Sequence, residues 1–300
     1  MFLSAGLDFM SEEYPAHVFH PYIQLWLDVV NRVNLMPPNC LLTNGPRSDA
    51  QAAAAALNRV VNAIRCEAAT AAFRTMVKKH RRAVTKNFVG CRRYVECLFH
   101  NSARLQVVRI DLEYLSHRAL GKKTDSAKRV RDLEQVKADW VNMRAHLGKA
   151  YKSSLLGYIC KLESALSTGH HFHLIVFLDG SKIRQDIVVG KALCHHWDHV
   201  IAPNRGRAYN CNANAGNYRF VGIGEVRHDD DERRATLVKA VEYICKPDFL
   251  LRFAPEGPRV RTLFRGVMPA LSIETRGRKR RASVEFENAA ECIVMTEVAV

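Results

Sequence analysis

Two histidines one residue apart, His171 and His173, open the apolar run 174–178. On an extended strand, side chains two apart project from one face. Both imidazoles can therefore reach a single metal ion, while Phe172, Leu174 and Val176 point the other way. Glu163 stands eight residues before His171, and the intervening Ser-Ala-Leu-Ser-Thr-Gly-His is short and turn-like. That spacing predicts a hairpin that sets the carboxylate beside the imidazole pair. Two imidazoles and a carboxylate with open positions suit a catalytic divalent ion: Mn2+ or Mg2+ holding a phosphate, or Zn2+ activating water.

A tyrosine supplies the second kind of chemistry. The string Tyr-Ile-Cys-Lys occurs twice, starting at Tyr158 and at Tyr243. In a helix over 231–245, Leu237, Val238, Val241, Ile244 and Cys245 form the apolar stripe. Lys239, Tyr243 and Lys246 fall at i, i+4 and i+7 on another side. A phenol flanked by two ammonium groups sits in a positive field, which favours phenolate and attracts phosphate, as a nucleophilic tyrosine requires. Tyr158 lies on the face of its strand opposite Glu163 and reads as structural. Cys194-His195-His196 does not read as a metal cluster, because adjacent residues rarely ligate one ion together.

The elements that must hold these groups follow from periodicity. Residues 48 to about 100 read as helix, with Leu57, Val60, Val61 and Ile64 and then Phe73, Met76 and Val77 at helical spacing. Residues 105–112 alternate as a strand. Residues 125–147 return to helix, with Val130, Leu133, Val136, Trp140 and Met143 as its stripe and Gly148 as its stop. Strands are expected at 155–163, 171–178 and 218–226, and helices at 184–199 and 231–245, the last stopped by Pro247. The fold class is α+β: one antiparallel sheet with helices packed on one face, preceded by a mainly α-helical N-terminal region.

The 300-residue chain carries 45 Lys and Arg against 30 Asp and Glu, a formal charge of +15. Net +14 of this falls in residues 57–152, where Lys78, Lys79, Arg81 and Arg82 form a cluster. Such an excess points to a polyanion, most often nucleic acid, gripped through its backbone in a salt-dependent way. Arg276, Arg278, Lys279, Arg280 and Arg281 add a second basic spot. With 48% hydrophobic and 25% charged residues, wholesale disorder is excluded. No uncharged apolar run approaches the roughly 18 residues that span a bilayer. The first residues lack a basic segment of the secretory kind. The nine cysteines are scattered, odd in number and never in a CxxC pair, so they read as reduced thiols of a cytoplasmic protein.

A carboxylate, a His-hydrophobe-His strand and then a helix with Tyr-x-x-Lys together resemble the HUH endonuclease superfamily. Its members are the rolling-circle replication initiators, with relaxases and some transposases as relatives. The His pair preceding the tyrosine is similar to the initiator order. More closely, residues from about 104 to 270 resemble the YagK/YfjJ C-terminal domain family, the inovirus-type replication proteins of phages and prophages. The matching pieces are Arg109-Ile-Asp-Leu112, Gly169-His-His-Phe-His173, Leu178-Asp-Gly180, Val221-Gly-Ile-Gly224, Tyr243-Ile-Cys-Lys246 and Arg261-Thr-Leu-Phe-Arg-Gly266. The first hundred residues carry no such resemblance.

The resemblance implies a ferredoxin- or RRM-like sheet over residues 104–270, an N-terminal region 1–103 and a basic tail 271–300. It implies a single-strand DNA endonuclease dependent on Mg2+ or Mn2+, a rolling-circle initiator of a filamentous phage or prophage. Glu163, His171 and His173 are then the metal ligands, Tyr243 the nucleophile and Lys246 its electrostatic helper. Lys239, Arg109, Lys78, Lys79, Arg81 and Arg82 are the expected DNA contacts. The implied partners are single-stranded or hairpin origin DNA, with a host helicase and polymerase, and no membrane. A single tyrosine departs from the two-tyrosine initiators, so a second strand transfer needs a second subunit or reuse of Tyr243. Other readings of the same residues are a non-catalytic prophage DNA-binding replication or regulatory protein, a His2Glu zinc hydrolase and, third, an RNA-binding RRM-like module. The last lacks an aromatic pair on the expected strands.

Overall fold

The apolar run that follows His173 is buried on both sides, and this decides the architecture. A computed structural model describes residues 17–33, 47–115, 126–165, 169–246, 251–253 and 261–270. The elements are β1 (His17–Phe19), α1 (Pro21–Val33), α2 (Arg47–Ala68), α3 (Ala71–Asn101), β2 (Arg104–Tyr114), α4 (Ser126–Tyr151), β3 (Leu155–Ala165) and β4 (Gly169–Asp179). There follow α5 (Asp186–His196), β5 (Gly206–Asn210), β6 (Gly224–Arg227), α6 (Asp231–Cys245), β7 (Leu251–Phe253) and β8 (Leu263–Arg265).

β2, β3 and β4 form the centre of an antiparallel sheet in the order β5-β2-β4-β3-β8. The outer edge of β2 is shared: β6 pairs with residues 104–107 and β5 with residues 110–114. Between those two short strands Asn212 completes the ladder. Its side chain accepts from the Arg109 N–H at 2.8 Å and donates to the Val107 carbonyl at 2.9 Å. A buried backbone pair that would otherwise go unsatisfied is thereby closed by one side chain.

Each face of the sheet has its own core. On one, Val108, Ile110, Leu112, Cys160, Leu162, Phe172, Leu174 and Val176 pack against Leu133, Val136, Trp140 and Met143 of α4 and Val189 and Leu193 of α5. On the other, Leu105, Val107, Ile159, Ile175 and Phe177 pack against Cys91, Tyr94, Val95 and Leu98 of α3 and Leu237, Val241 and Ile244 of α6. The expectation of helices on one face is corrected here. A strand apolar at every position from 174 to 178 has two faces to cover, and an amphipathic helix can cover only one.

The helix over 231–245 has the bounds expected. Helix α4 runs past Gly148 to Tyr151, because the buried Leu147 still faces the sheet. The strand expected over 218–226 shortens to Gly224–Arg227: residues 218–222 leave β2 to run along α6, where the Val221 carbonyl accepts from Thr236 Oγ1 at 3.1 Å. Strands β5 and β8 were not anticipated, being five and three residues long without an apolar alternation.

The boundary expected at residue 103 does not separate two cores. The second half of α3 lies against the sheet, while its first half joins α1 and α2 through Phe73, Leu27, Val30 and Val60. β1 pairs antiparallel with β7, so the chain beyond α6 returns to the N-terminal helices. The basic run from Arg276 lies outside the described residues. Among the described residues, no helix is long and apolar enough to cross a membrane.

Candidate metal and nucleophile site

The β3–β4 hairpin puts Glu163 directly across from His171, and Lys161 across from His173. Directly paired residues of an antiparallel ladder share a face. On the far side of β4, Asp111 of β2 is paired with His173. These side chains stand on the α3–α6 face, beyond the end where Ile175 and Phe177 go under the helices.

Both imidazoles converge on one oxygen. Glu163 Oε2 is 3.6 Å from His171 Nε2 and 3.5 Å from His173 Nε2. The three ligand atoms lie within 4.8 Å of one another, and this is the one such group among the described residues. The other ring nitrogens are engaged behind them. His173 Nδ1 is 2.7 Å from Asp111 Oδ1, and His171 Nδ1 is 3.3 Å from the Gly169 carbonyl oxygen. Gly169, at φ 71°, takes the left-handed conformation that glycine adopts without cost at the turn into β4. A carbonyl or carboxylate oxygen accepts, so each Nδ1 donates, and each Nε2, once free of a proton, can present its lone pair forward. That is how outer partners fix the tautomer of metal-binding imidazoles.

Charge follows geometry. Burial opposes ionisation of Glu163, but the hydrogen-bonding His171 and His173, with Lys161 nearby, outweigh it and hold its carboxyl well below the usual range. Asp111 is likewise held low against burial by His173 and Arg109. Burial would strip the proton from His173, yet Asp111 and Glu163 hold its value up at about 9. That proton lies between the two carboxylates, and a divalent ion would take its place at Nε2. Nitrogen and oxygen donors, pre-oriented and open on one side, fit a divalent ion.

Tyr243 stands over this pocket. Its ring is edge-on to His173 with centroids 5.9 Å apart, and the residue is 47% exposed. The Arg109 guanidinium lies 4.9 Å from the ring centroid and Lys246 Nζ 5.9 Å. Helix α6 is aimed by its own fastenings. Asp230 caps it by accepting from the Arg233 N–H, and the buried Arg234 donates to Glu96 of α3 at 2.5 Å and to the His228 carbonyl at 3.0 Å. Tyr158, by contrast, packs on the opposite core with Trp140, ring centroids 5.5 Å apart.

The structure therefore brings Glu163, His171, His173, Tyr243 and Lys246 together, and separates Lys239, whose ammonium lies over Phe220 at 5.3 Å instead. Arg109 is no surface DNA contact. It is buried, 3.5 Å from Asp111, with its Nε lacking a hydrogen-bond partner. Lys78, Lys79, Arg81 and Arg82 lie exposed on the first half of α3, before the stretch that meets the sheet. Three site neighbours had not been singled out: Asp111, Lys161 and Tyr218, whose ring faces Arg109 at 5.4 Å. The strand parity of Arg109 and Asp111 was a usable sign for Asp111; nothing local marked Tyr218.

Comparison with curated proteins and with solved structures gives no match. Comparison with protein families gives one that spans well over half of the chain, the YagK/YfjJ C-terminal domain over residues 67–253. The match begins before α3, earlier than the 104 expected, as the packing of α3 on the sheet requires. A chain matched from α3 to β7, through the sheet, the His pair and the tyrosine helix, belongs to the YagK/YfjJ C-terminal domain family.

Proposed function

We propose that the protein nicks and rejoins single-stranded DNA through a phosphotyrosine intermediate, as an HUH-type rolling-circle replication initiator of a filamentous phage or prophage. The observation that carries this reading is the edge-on approach of Tyr243 to His173, one of three residues whose ligand atoms are close enough together to hold a metal ion. Glu163, His171 and His173 would hold Mg2+ or Mn2+. When bound there, such an ion polarises a phosphate and offsets its developing negative charge.

The chain supplies the rest. Tyr243 Oη attacks phosphorus; the Tyr–O–P bond forms as the bond to the 3′ oxygen breaks. The phenolic proton leaves to solvent, and the departing oxygen takes one up as a 3′-hydroxyl that can prime synthesis. The 5′ side stays on the enzyme, so attack by a 3′-hydroxyl reverses the step and rejoins the strand. Arg109 and Lys246 set positive charge around the ring, which draws a phosphate toward it. Asp111 holds His173 in the ligating tautomer.

The test is covalent capture on a labelled origin oligonucleotide with Mn2+. Tyr243→Phe is expected to abolish the adduct, and Tyr158→Phe to keep it. An adduct on the first variant and none on the second contradicts the assignment.

A further inference from the structure

The loop between the 3-10 turn Asn212–Asn217 and β6 leads out of the site. Tyr218 is half-buried against Arg109. Two residues on, Phe220 is 46% exposed, with the Arg219 guanidinium and the Lys239 ammonium each 5.3 Å from its ring centroid. A loop phenylalanine usually turns inward to leave water. This one is held out by its backbone. Gly222 lies so close to α6 that any Cβ there would run into the Thr236 carbonyl, Thr236 Oγ1 donates to the Val221 carbonyl, and Ile223 is buried beyond.

Lys239 is one helical turn before Tyr243, about 6 Å along α6. The exposed ring, its two cations and the tyrosine thus share one side of the helix. A second exposed ring borders the same site: Tyr209, 38% exposed, is paired across β2 with Asp111 and so stands on the face of His173. Exposed aromatic rings interleaved with cations on long, mobile stems match single-stranded nucleic acid. Every base offers a π-face to the ring, and each linkage offers a phosphate to the cations.

We propose that residues 218–221 and the outward side of α6 form a base-stacking platform for single-stranded DNA, in which Phe220 receives one base and Arg219 and Lys239 grip the flanking phosphates. It rests on the strand-cleaving reading above, for it supplies the strand's approach to Tyr243. The cations leave the ring for the phosphates as the base arrives.

The test is fluorescence anisotropy with the full chain in EDTA, where cleavage does not intervene. One probe is a labelled single-stranded oligonucleotide; the other has the same length and abasic sugars throughout. Phe220→Ala is expected to weaken binding of the first about tenfold, within the range for loss of one stacked base, and to leave the second unchanged. Phe220→Trp is expected to keep both. Equal binding of both probes by Phe220→Ala and the parent overturns the platform, as does an equal loss on both. Nicking by the parent beside either result leaves the nuclease reading standing. Base-dependent binding by Phe220 in a protein that never nicks supports the platform and removes the nuclease reading.

Discussion

At the scale of the residue, the proposed metal site depends on Asp111 as much as on Glu163, His171 and His173. It holds His173 Nδ1 at 2.7 Å with one oxygen and lies 3.5 Å from Arg109 with the other, linking the His–Glu cluster to the cation beside Tyr243. Asp111→Asn keeps the size and loses the charge. It is expected to weaken Mn2+ binding about 10- to 100-fold in calorimetric titration, as outer partners of metal-bound imidazoles do. Lys246→Met, which removes the ammonium 5.9 Å from the Tyr243 ring centroid, is expected to leave that affinity as it was. Equal Mn2+ affinity of Asp111→Asn and the parent counts against the ligand set. Glu163, His171 and His173 were legible because strand parity and a short hairpin are local rules. Lys161 and Asp111 needed the register of three strands, and Tyr218 needed the path of a loop over a helix. The wheel of α6 placed both lysines beside Tyr243, but Lys239 turned to Phe220, a ring that no helical spacing could announce.

At the scale of the element, α6 positions Tyr243 and α3 positions α6. Tyr94, Val95, Leu98 and Phe99 of α3 share a core with Ile175 and Phe177 of β4 and with Leu237 and Val241 of α6. A chain that starts at residue 104 bares the part of that sheet face that α3 covers and loses Glu96, the partner of Arg234. It is expected to lack cooperative thermal unfolding and to aggregate on size exclusion. A chain that starts at residue 67 keeps α3 and is expected to unfold cooperatively. A sharp melting transition from the shorter chain contradicts the packing described here. The long strands and helices could be read from the sequence because period 2 and period 3.6 persist over many residues. The edge strand β5 could not be read, and β6 only in part, because both hold their places on β2 with the help of Asn212, a contact across more than a hundred residues. The resemblance implied a break at 103, next to the change from helical to strand period, but the charge lies on the outside of α3 and its inner side belongs to the sheet.

At the scale of the whole molecule, the charge and the chemistry occupy different places. Most of the net +15 sits in residues 57–152, with Lys78, Lys79, Arg81 and Arg82 exposed on α3, whereas the site itself is built from paired and buried charges. Replacing those four by Gln is expected to lower the slope of log affinity for single-stranded DNA against log salt by about 3, at roughly 0.7 per phosphate contact. Adduct formation at saturating DNA is expected to survive. An unchanged slope removes α3 from the DNA path. The central claim, that Tyr243 beside a divalent site cuts and holds a DNA strand, is most directly tested by incubating the intact protein with Mn2+ and single-stranded origin DNA and mapping the attached residue by peptide mass spectrometry. The expected result is a metal-dependent adduct in which a 5′-phosphate is esterified to Tyr243. Cleavage that releases free 5′-phosphate ends with no protein attached, or attachment at Tyr158 or Tyr218, would contradict it.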